Sequence, residues 1–399
     1  MRKNGFGKII SFGRGLLALL LAAGLLFQAA GAITEVPVAA VAAPEETHLK
    51  LACKSAVLME QTTGTVLYEE NADEALPIAS VTKVMTLLLT MEALANGVVS
   101  LDEKVPVSER AASMGGSQVY LEPGEEITLD EVLKAVVVSS ANDGAMALAE
   151  LIAGSAEGFV EQMNRRAAEL GAVNTTFFNP TGLDDAETNL STARDVALIS
   201  RELLRHEKIT DYSTIWIDSI RNGAFGLSNT NKLIRFYPGA TGLKTGSTAK
   251  AKYCVSASAE RGGLKLVAVV LAGDSSAARW EAAKTLLDHG FANWAMVQPE
   301  EYNGAPVPVW SGTKKEVGTV CKQEGLLLKK SEAAGLISKT ELAPSLSAPV
   351  AKGQEVGRVR FEKNGEEIAS LPILAAEDVP RLSFSQIFRA LLQNLFQKS

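Results

Sequence analysis

Three short motifs fall in one order along the chain: Ser80-Val81-Thr82-Lys83, Ser140-Ala141-Asn142 and Lys244-Thr245-Gly246. Any fold that uses them must bring three distant segments to one place. Ser-x-x-Lys alone carries little, since it recurs at Ser247 to Lys250 and at Ser311 to Lys314 and short motifs match by chance. The surroundings of Ser80 set it apart. Pro77-Ile78-Ala79 leads into it, and Val81, Val84, Met85, Leu88 and Met91 follow at helical spacing, which predicts Ser80 in the first turn of a buried helix. Residues three apart share a helix face, so the Lys83 amine is expected beside the Ser80 hydroxyl. A serine at a helix start also serves as a plain N-cap, but a cap requires neither Lys83 nor the two later motifs.

A serine hydroxyl is a weak nucleophile and needs a neighbouring base. His48, His206 and His289 are scattered and none lies near a motif, which leaves Lys83, provided that it is neutral. Burial and a second cation both lower a lysine's pKa; Lys244 is that cation if the third motif lies across the cleft. Ser140 is then placed to pass a proton to a leaving amine, and Asn142 to orient Lys83.

At 399 residues the chain suits two domains with a sizeable core. Its start reads as an export signal: Arg2, Lys3, Lys8 and Arg14 precede or open the apolar stretch Gly15 to Phe27, and Ala30-Gly31-Ala32 offers a small-residue cleavage site. Residues 1–32 carry four basic and no acidic residues, so their removal takes the net charge from -7 to -11. An acidic exported chain is a poor nucleic-acid binder. The three cysteines and three histidines show no zinc spacing. Cys254, in the apolar alternation Tyr253 to Ala259, reads as a small buried side chain. The acidic cluster of Asp184, Asp185 and Glu187 reads as a solvated turn rather than a metal site.

The expected organisation is a signal over 1–32, a linker over 33–50, a catalytic domain over 51–297, a β-rich domain over 298–380 and an amphipathic helix over 381–399. Within the catalytic domain, strands are expected at Ser55 to Gln61 and Thr65 to Glu69, a largely helical stretch from Leu129 to about Arg205, strands again at Gly239 to Thr245, Lys252 to Ala259 and Leu264 to Ala272, and a helix at Ala278 to Asp288. Strands at both ends with helices between predict a sheet assembled from both ends of the domain and flanked by helices. After Pro299, short alternating segments separated by Gly, Pro and Ser predict a small all-β domain. In the tail, Phe384, Ile387, Phe388, Leu391, Leu392, Leu395 and Phe396 repeat at helical spacing. That face needs a membrane surface, the protein's own β domain or another copy to bury against.

The ordered motifs, the exported start, the β domain and the tail together resemble the serine-type, low-molecular-mass penicillin-binding D-alanyl-D-alanine carboxypeptidases. Ser140 to Gly144 with Ala147-Leu148-Ala149, Gly182-Leu183-Asp184, and Ser191 to Asp195 extend the likeness. Ala141, Gly144 and Ser247 stand where the family more often has Gly, Ala and a larger residue. The resemblance implies an α/β (α+β) penicillin-binding or serine β-lactamase-like domain with an antiparallel sheet, and removal of the terminal D-alanine from peptidoglycan stem peptides without a cofactor. It implies Ser80, Lys83, Ser140 and Asn142 as catalytic groups and Lys244, Thr245, Gly246, Ser247 and Arg279 as substrate-binding ones. The backbone N–H groups of Ser80 and Ser247 form the oxyanion hole in that reading, and Arg279 holds the free carboxylate. β-Lactams are then inhibitors, and a membrane surface is the partner of the tail. Two other readings share the motifs: a β-lactamase, and a catalytically silent wall-binding protein. Class A β-lactamases carry a Glu-x-x-Leu-Asn element for deacylation, which the segment from Thr175 to Asp195 lacks.

Overall fold

The structure is a computed structural model that describes residues 48–184, 187–299, 302–322 and 325–389. The expected signal, most of the linker, and the tail beyond residue 389 lie outside these residues. The described residues fall within the unit Pro44–Ser399.

Two N-terminal strands, β1 (Ser55–Glu60) and β2 (Val66–Glu70), join three later ones, β3 (Ala240–Thr248), β4 (Lys252–Arg261) and β5 (Leu264–Gly273). Their order is β2-β1-β5-β4-β3, every neighbouring pair is antiparallel, and Ser55 lies opposite Leu271. The sheet is therefore built from both ends of the domain, as the pattern of strands predicts. Alternate side chains of a strand face opposite ways, and both faces here are apolar. Val57, Met59, Val267, Val269 and Leu271 join one core with the helices α1 (Lys83–Ala95), α2 (Leu129–Ser139), α3 (Asn142–Ala153), α4 (Ala156–Glu169) and α5 (Ala193–Leu203). Ala56, Leu58, Leu266, Ala268 and Val270 join a second core under α6 (Ser276–Asn293), which supplies Ala283, Leu286, Leu287 and Phe291. Each Val, Leu, Met or Phe side chain fully buried there contributes on the order of 1.5–3 kcal/mol. Trp280 and Trp294 pack in that second core, and Cys254 is buried in the first.

Three details differ from the expected elements. Ser80 sits in a 3-10 turn, Ala79–Thr82, and the α-helix starts only at Lys83; Ala79 has φ 48°, so the chain enters the turn through a left-handed residue that a regular helix cannot include. The helical stretch breaks after α4, because Gly171 at φ 78° ends it and Asn179 and Asn189 then direct an irregular segment by bonding to its backbone N–H groups. A hairpin of Ile217–Ile220 and Phe225–Ser228 was not anticipated. Its turn has positive φ at Arg221 and Asn222, and the Asn222-Gly223 pair is the signal that identifies such a turn.

The C-terminal sheet is built from β6 (Thr319–Cys321), β7 (Ile337–Leu342), β8 (Glu355–Lys363) and β9 (Glu366–Ala375) in the order β6-β9-β8-β7. It has its own core, with Val317, Val359, Phe361, Ile373 and Val379. Residues 384–389 are helical. Among the described residues no helix is long and apolar enough to cross a membrane.

Candidate active site

The nucleophile turn is fixed by close approach from two directions. β3 runs against it: a Cβ on Gly246 would stand 2.7 Å from the Ile78 oxygen and 2.9 Å from the nitrogens of Ser80 and Val81. On another side, a Cβ on Gly182 would stand 1.9 Å from the Ala79 oxygen, and Gly182 has φ 79°. Only glycine allows either approach. Ser80 itself is half-buried at the start of this turn.

Ser140 and Asn142 occupy the junction of α2 and α3. A capping box at Thr128 and Glu131 starts α2, worth about 1 kcal/mol. The helix ends on Ser140 at φ 63°, ψ 30°, and α3 starts two residues later at Asn142. A serine in the left-handed region costs about 1 kcal/mol or more. The gain is geometric: this abrupt turn between two buried helices brings the Asn142 side chain to the Lys83 amine, with Ser140 buried two residues before it.

The motifs converge on the Lys83 amine, which has no exposed surface. Lys83 Nζ lies 3.0 Å from Ser80 Oγ, 2.5 Å from Asn142 Oδ1 and 2.7 Å from the Thr181 carbonyl oxygen. Asn142 Nδ2 donates to the Gly115 oxygen at 2.7 Å, so its Oδ1 must face the lysine. Two of the three partners of Nζ are thus acceptors only. A neutral amine has two hydrogens and one lone pair; in that form, with the hydrogens given to Asn142 and Thr181, the lone pair would face Ser80, whereas a protonated amine would donate to all three. Burial lowers the Lys83 pKa well below the ordinary lysine value, with the charge of Lys244 as the second cause and Asp143 opposing both.

Lys244 is buried on β3 and donates to the Thr245 oxygen at 2.9 Å. Burial, then the charge of Arg279, push its pKa down to about 7. Thr245 Oγ1 donates to Thr230 Oγ1 at 2.8 Å. Ser247 is exposed at the end of the same strand. Arg279 is no solvated helix-start residue: it is 7 % exposed, donates to the oxygens of Gly246 and Cys254, each at 3.3 Å, and lies over the Trp280 ring at 4.3 Å. Among the described residues its Nε has no hydrogen-bond partner, and burial lowers its pKa to about 10.

The other two Ser-x-x-Lys matches lack any such setting. Lys250 reaches Thr188 at the surface and Lys314 pairs with Glu377 there. Thr181, whose contribution is a main-chain oxygen, and Thr230 carry no motif in the sequence; Asp143 falls within the stretch Ser140 to Gly144, but no spacing gives it a part in the site.

A family model described as D-alanyl-D-alanine carboxypeptidase matches residues 39–275, and one described as penicillin-binding protein 5, C-terminal domain, matches residues 298–381. The chain is 44 % identical over 338 residues to the D-alanyl-D-alanine carboxypeptidase DacF of Bacillus subtilis, covering 83 % of this chain and 87 % of that protein. Its fold is similar to penicillin binding protein 5 of Haemophilus influenzae, with TM-score 0.65 and 29 % identity over 84 % of this chain and all of that one. It is also similar to Penicillin-Binding Protein D2 of Listeria monocytogenes in the ampicillin-bound form, with TM-score 0.56 and 33 % identity over 61 % of this chain and 99 % of that one.

Proposed function

Since this chain belongs to the D-alanyl-D-alanine carboxypeptidase family, we propose that it removes the terminal D-alanine from peptidoglycan stem pentapeptides through an acyl-enzyme at Ser80. The observation that carries this is the three-way bonding of the buried Lys83 amine to Ser80 Oγ, Asn142 Oδ1 and the Thr181 oxygen, which in the neutral form leaves the lone pair to Ser80. Lys83 takes the Ser80 proton as Oγ attacks the carbonyl of the penultimate D-alanine. The oxyanion forms between the backbone N–H groups of Ser80 and Ser247, where each donor is typically worth a few kcal/mol. Ser140 hands a proton to the departing amine, D-alanine leaves, and water cleaves the ester. Lys244, Thr245 and Arg279 hold the terminal carboxylate, which a planar guanidinium suits; the unpartnered Arg279 Nε supports that role. Gly246 lets β3 approach the nucleophile turn closely, as a shared oxyanion hole requires.

The purified protein is expected to release D-alanine from a pentapeptide ending in D-Ala-D-Ala, and to hold a penicillin on Ser80. A departing D-alanine vacates the site and admits water, whereas an opened β-lactam stays tethered and blocks it. Intact-protein mass spectrometry under excess drug should therefore show one persistent adduct. Rapid multiple turnovers of the drug would favour the β-lactamase reading instead.

The domain boundaries belong to this proposal: 51–297 as the catalytic domain, 298–380 as the β domain and 381–399 as an anchor on the outer face of the cytoplasmic membrane, after removal of 1–32 and with 33–50 as linker. Where the tail helix begins, Phe384 is 83 % and Phe388 53 % exposed, and their rings stack at 6.3 Å; the β domain does not cover them. Arg381, Arg389 and Lys398 add attraction to anionic lipid. Deleting Leu382 to Ser399 is expected to release the processed protein from membranes in a flotation assay, with activity on soluble peptide unchanged. Continued membrane binding would refute the anchor.

A further inference from the structure

Asp143 has no part in the mechanism above, yet it is a carboxylate with no exposed surface, one residue beyond Asn142. A buried carboxylate persists only with hydrogen-bond partners. Its Oδ2 accepts from the backbone N–H groups of Val119 and Leu121, each at 3.0 Å, and its Oδ1 from that of Gly144 at 2.9 Å. It stands in the first turn of α3, where the helix field favours an anion. Among the described residues no cation forms an ion pair with it; the charges it acts on are Lys83 and Arg221, whose protonated forms it favours.

The segment that Asp143 holds is the one that fixes Asn142. The Ser117 oxygen accepts from the Asn142 N–H at 2.7 Å, and the Gly115 oxygen accepts from Asn142 Nδ2 at 2.7 Å. From the outer side Arg221 donates to the oxygens of Val119 and Tyr120, at 2.8 and 3.0 Å, and is itself paired with Glu125. The strap from Gly115 to Leu121 is thus pinned through its N–H groups by one buried anion and through its carbonyls by one cation. Gly116 has no room for a side chain, since a Cβ there would stand 2.8 Å from Asn142 Nδ2. A strap so fixed leaves the Asn142 amide one orientation.

We propose that Asp143 is a positioning residue for acyl transfer: by holding Gly115 to Leu121 it fixes the Asn142 amide, and through that amide the direction of the Lys83 lone pair. This rests on the reading of Lys83 as the base. Asp143→Asn keeps the size of the side chain but removes the charge that strengthens the bonds from Val119 and Leu121, and turns an NH2 toward one of the backbone N–H groups, so the hold on the strap weakens. Labelling by a fluorescent penicillin is expected to slow by about ten- to a hundredfold, the scale of a small misplacement of reacting groups. The acid limb of its pH profile should also move to lower pH, because the carboxylate no longer favours protonated Lys83 over the effects of burial and Lys244. Arg221→Gln, on the exposed side, should slow labelling by about threefold or more through the same strap and leave the acid limb in place.

The proposal is overturned if folded Asp143→Asn labels within about twofold of the parent, which is below the effect of a misplaced group, or if it slows with no movement of the limb. If Asp143→Asn does not fold, parental labelling by Arg221→Gln overturns it. Lys83→Arg separates this from the underlying reading. Normal labelling of that variant removes the base assignment, whereas an inert Lys83→Arg beside an unaffected Asp143→Asn removes only the positioning role.

Discussion

Replacing Lys83 by arginine is expected to cut acylation of Ser80 by about 10²–10⁴-fold, the range supplied by a positioned general base. Arginine keeps the charge and roughly the length, but a guanidinium stays protonated in proteins and cannot accept the serine proton. The slot that Lys83 fills has no exposed surface and two acceptors, Asn142 Oδ1 and the Thr181 oxygen, so the larger cation also meets a packing cost. Lys83→Met removes the base without burying a charge, and the same loss is expected there. Penicillin labelling rates and a thermal melt on each variant decide the matter; near-parental labelling of either folded variant takes Lys83 out of the mechanism. In the parent, only the neutral amine accepts a proton, so acylation should fall as pH drops through the Lys83 pKa. Burial sets that pKa well below 10.5, and the loss should therefore come well below the ordinary lysine range.

The second large effect is expected at a residue with no side chain. Gly182→Ala introduces a Cβ 1.9 Å from the Ala79 oxygen at a position with φ 79°. Both the overlap and the backbone conformation oppose it, and about 2–4 kcal/mol of stability should be lost. The neighbouring Thr181 oxygen is one of the two acceptors on Lys83, and relief of the overlap must move it away from the nucleophile turn. Labelling should fall by about a hundredfold even in the fraction that folds. Urea unfolding and labelling of the same preparation test the two parts, and a variant with parental values in both would show that the contact is dispensable.

What the sequence made legible follows from which atoms carry the chemistry. Ser80, Lys83, Ser140, Asn142 and Lys244 act through side chains of specific type, and their letters appear in one order. β1 and β5 were legible because both their faces are buried and they read as apolar runs, and β4 because its apolar residues alternate. Thr181 was not, since the working atom is a carbonyl oxygen that every residue possesses. Nor were the conformations of Ala79 and Ser140: neither residue is the type that the left-handed region favours, so nothing local announces that the chain bends there. Asp143 was visible as a letter, but its task depends on a strap more than twenty residues upstream, which no spacing rule connects to it. The hairpin around Asn222-Gly223 carried a turn signal; its short, partly exposed strands gave too weak an alternation to accompany it.

The order of the large sheet has a kinetic consequence. β1 finds no partner on one side until β5 exists, and Ser55 pairs with Leu271, about two hundred residues later in synthesis. Pairings so remote in sequence must close a long loop before they return any free energy, which makes them slow to form. A ribosome-bound or newly released chain therefore spends an extended interval with an apolar, unpaired β1 edge, the state that aggregation draws on. The topology that joins the two ends of the domain thus delays the native state until the last strand arrives, and a refolding experiment should find closure of β1 on β5 among its latest events.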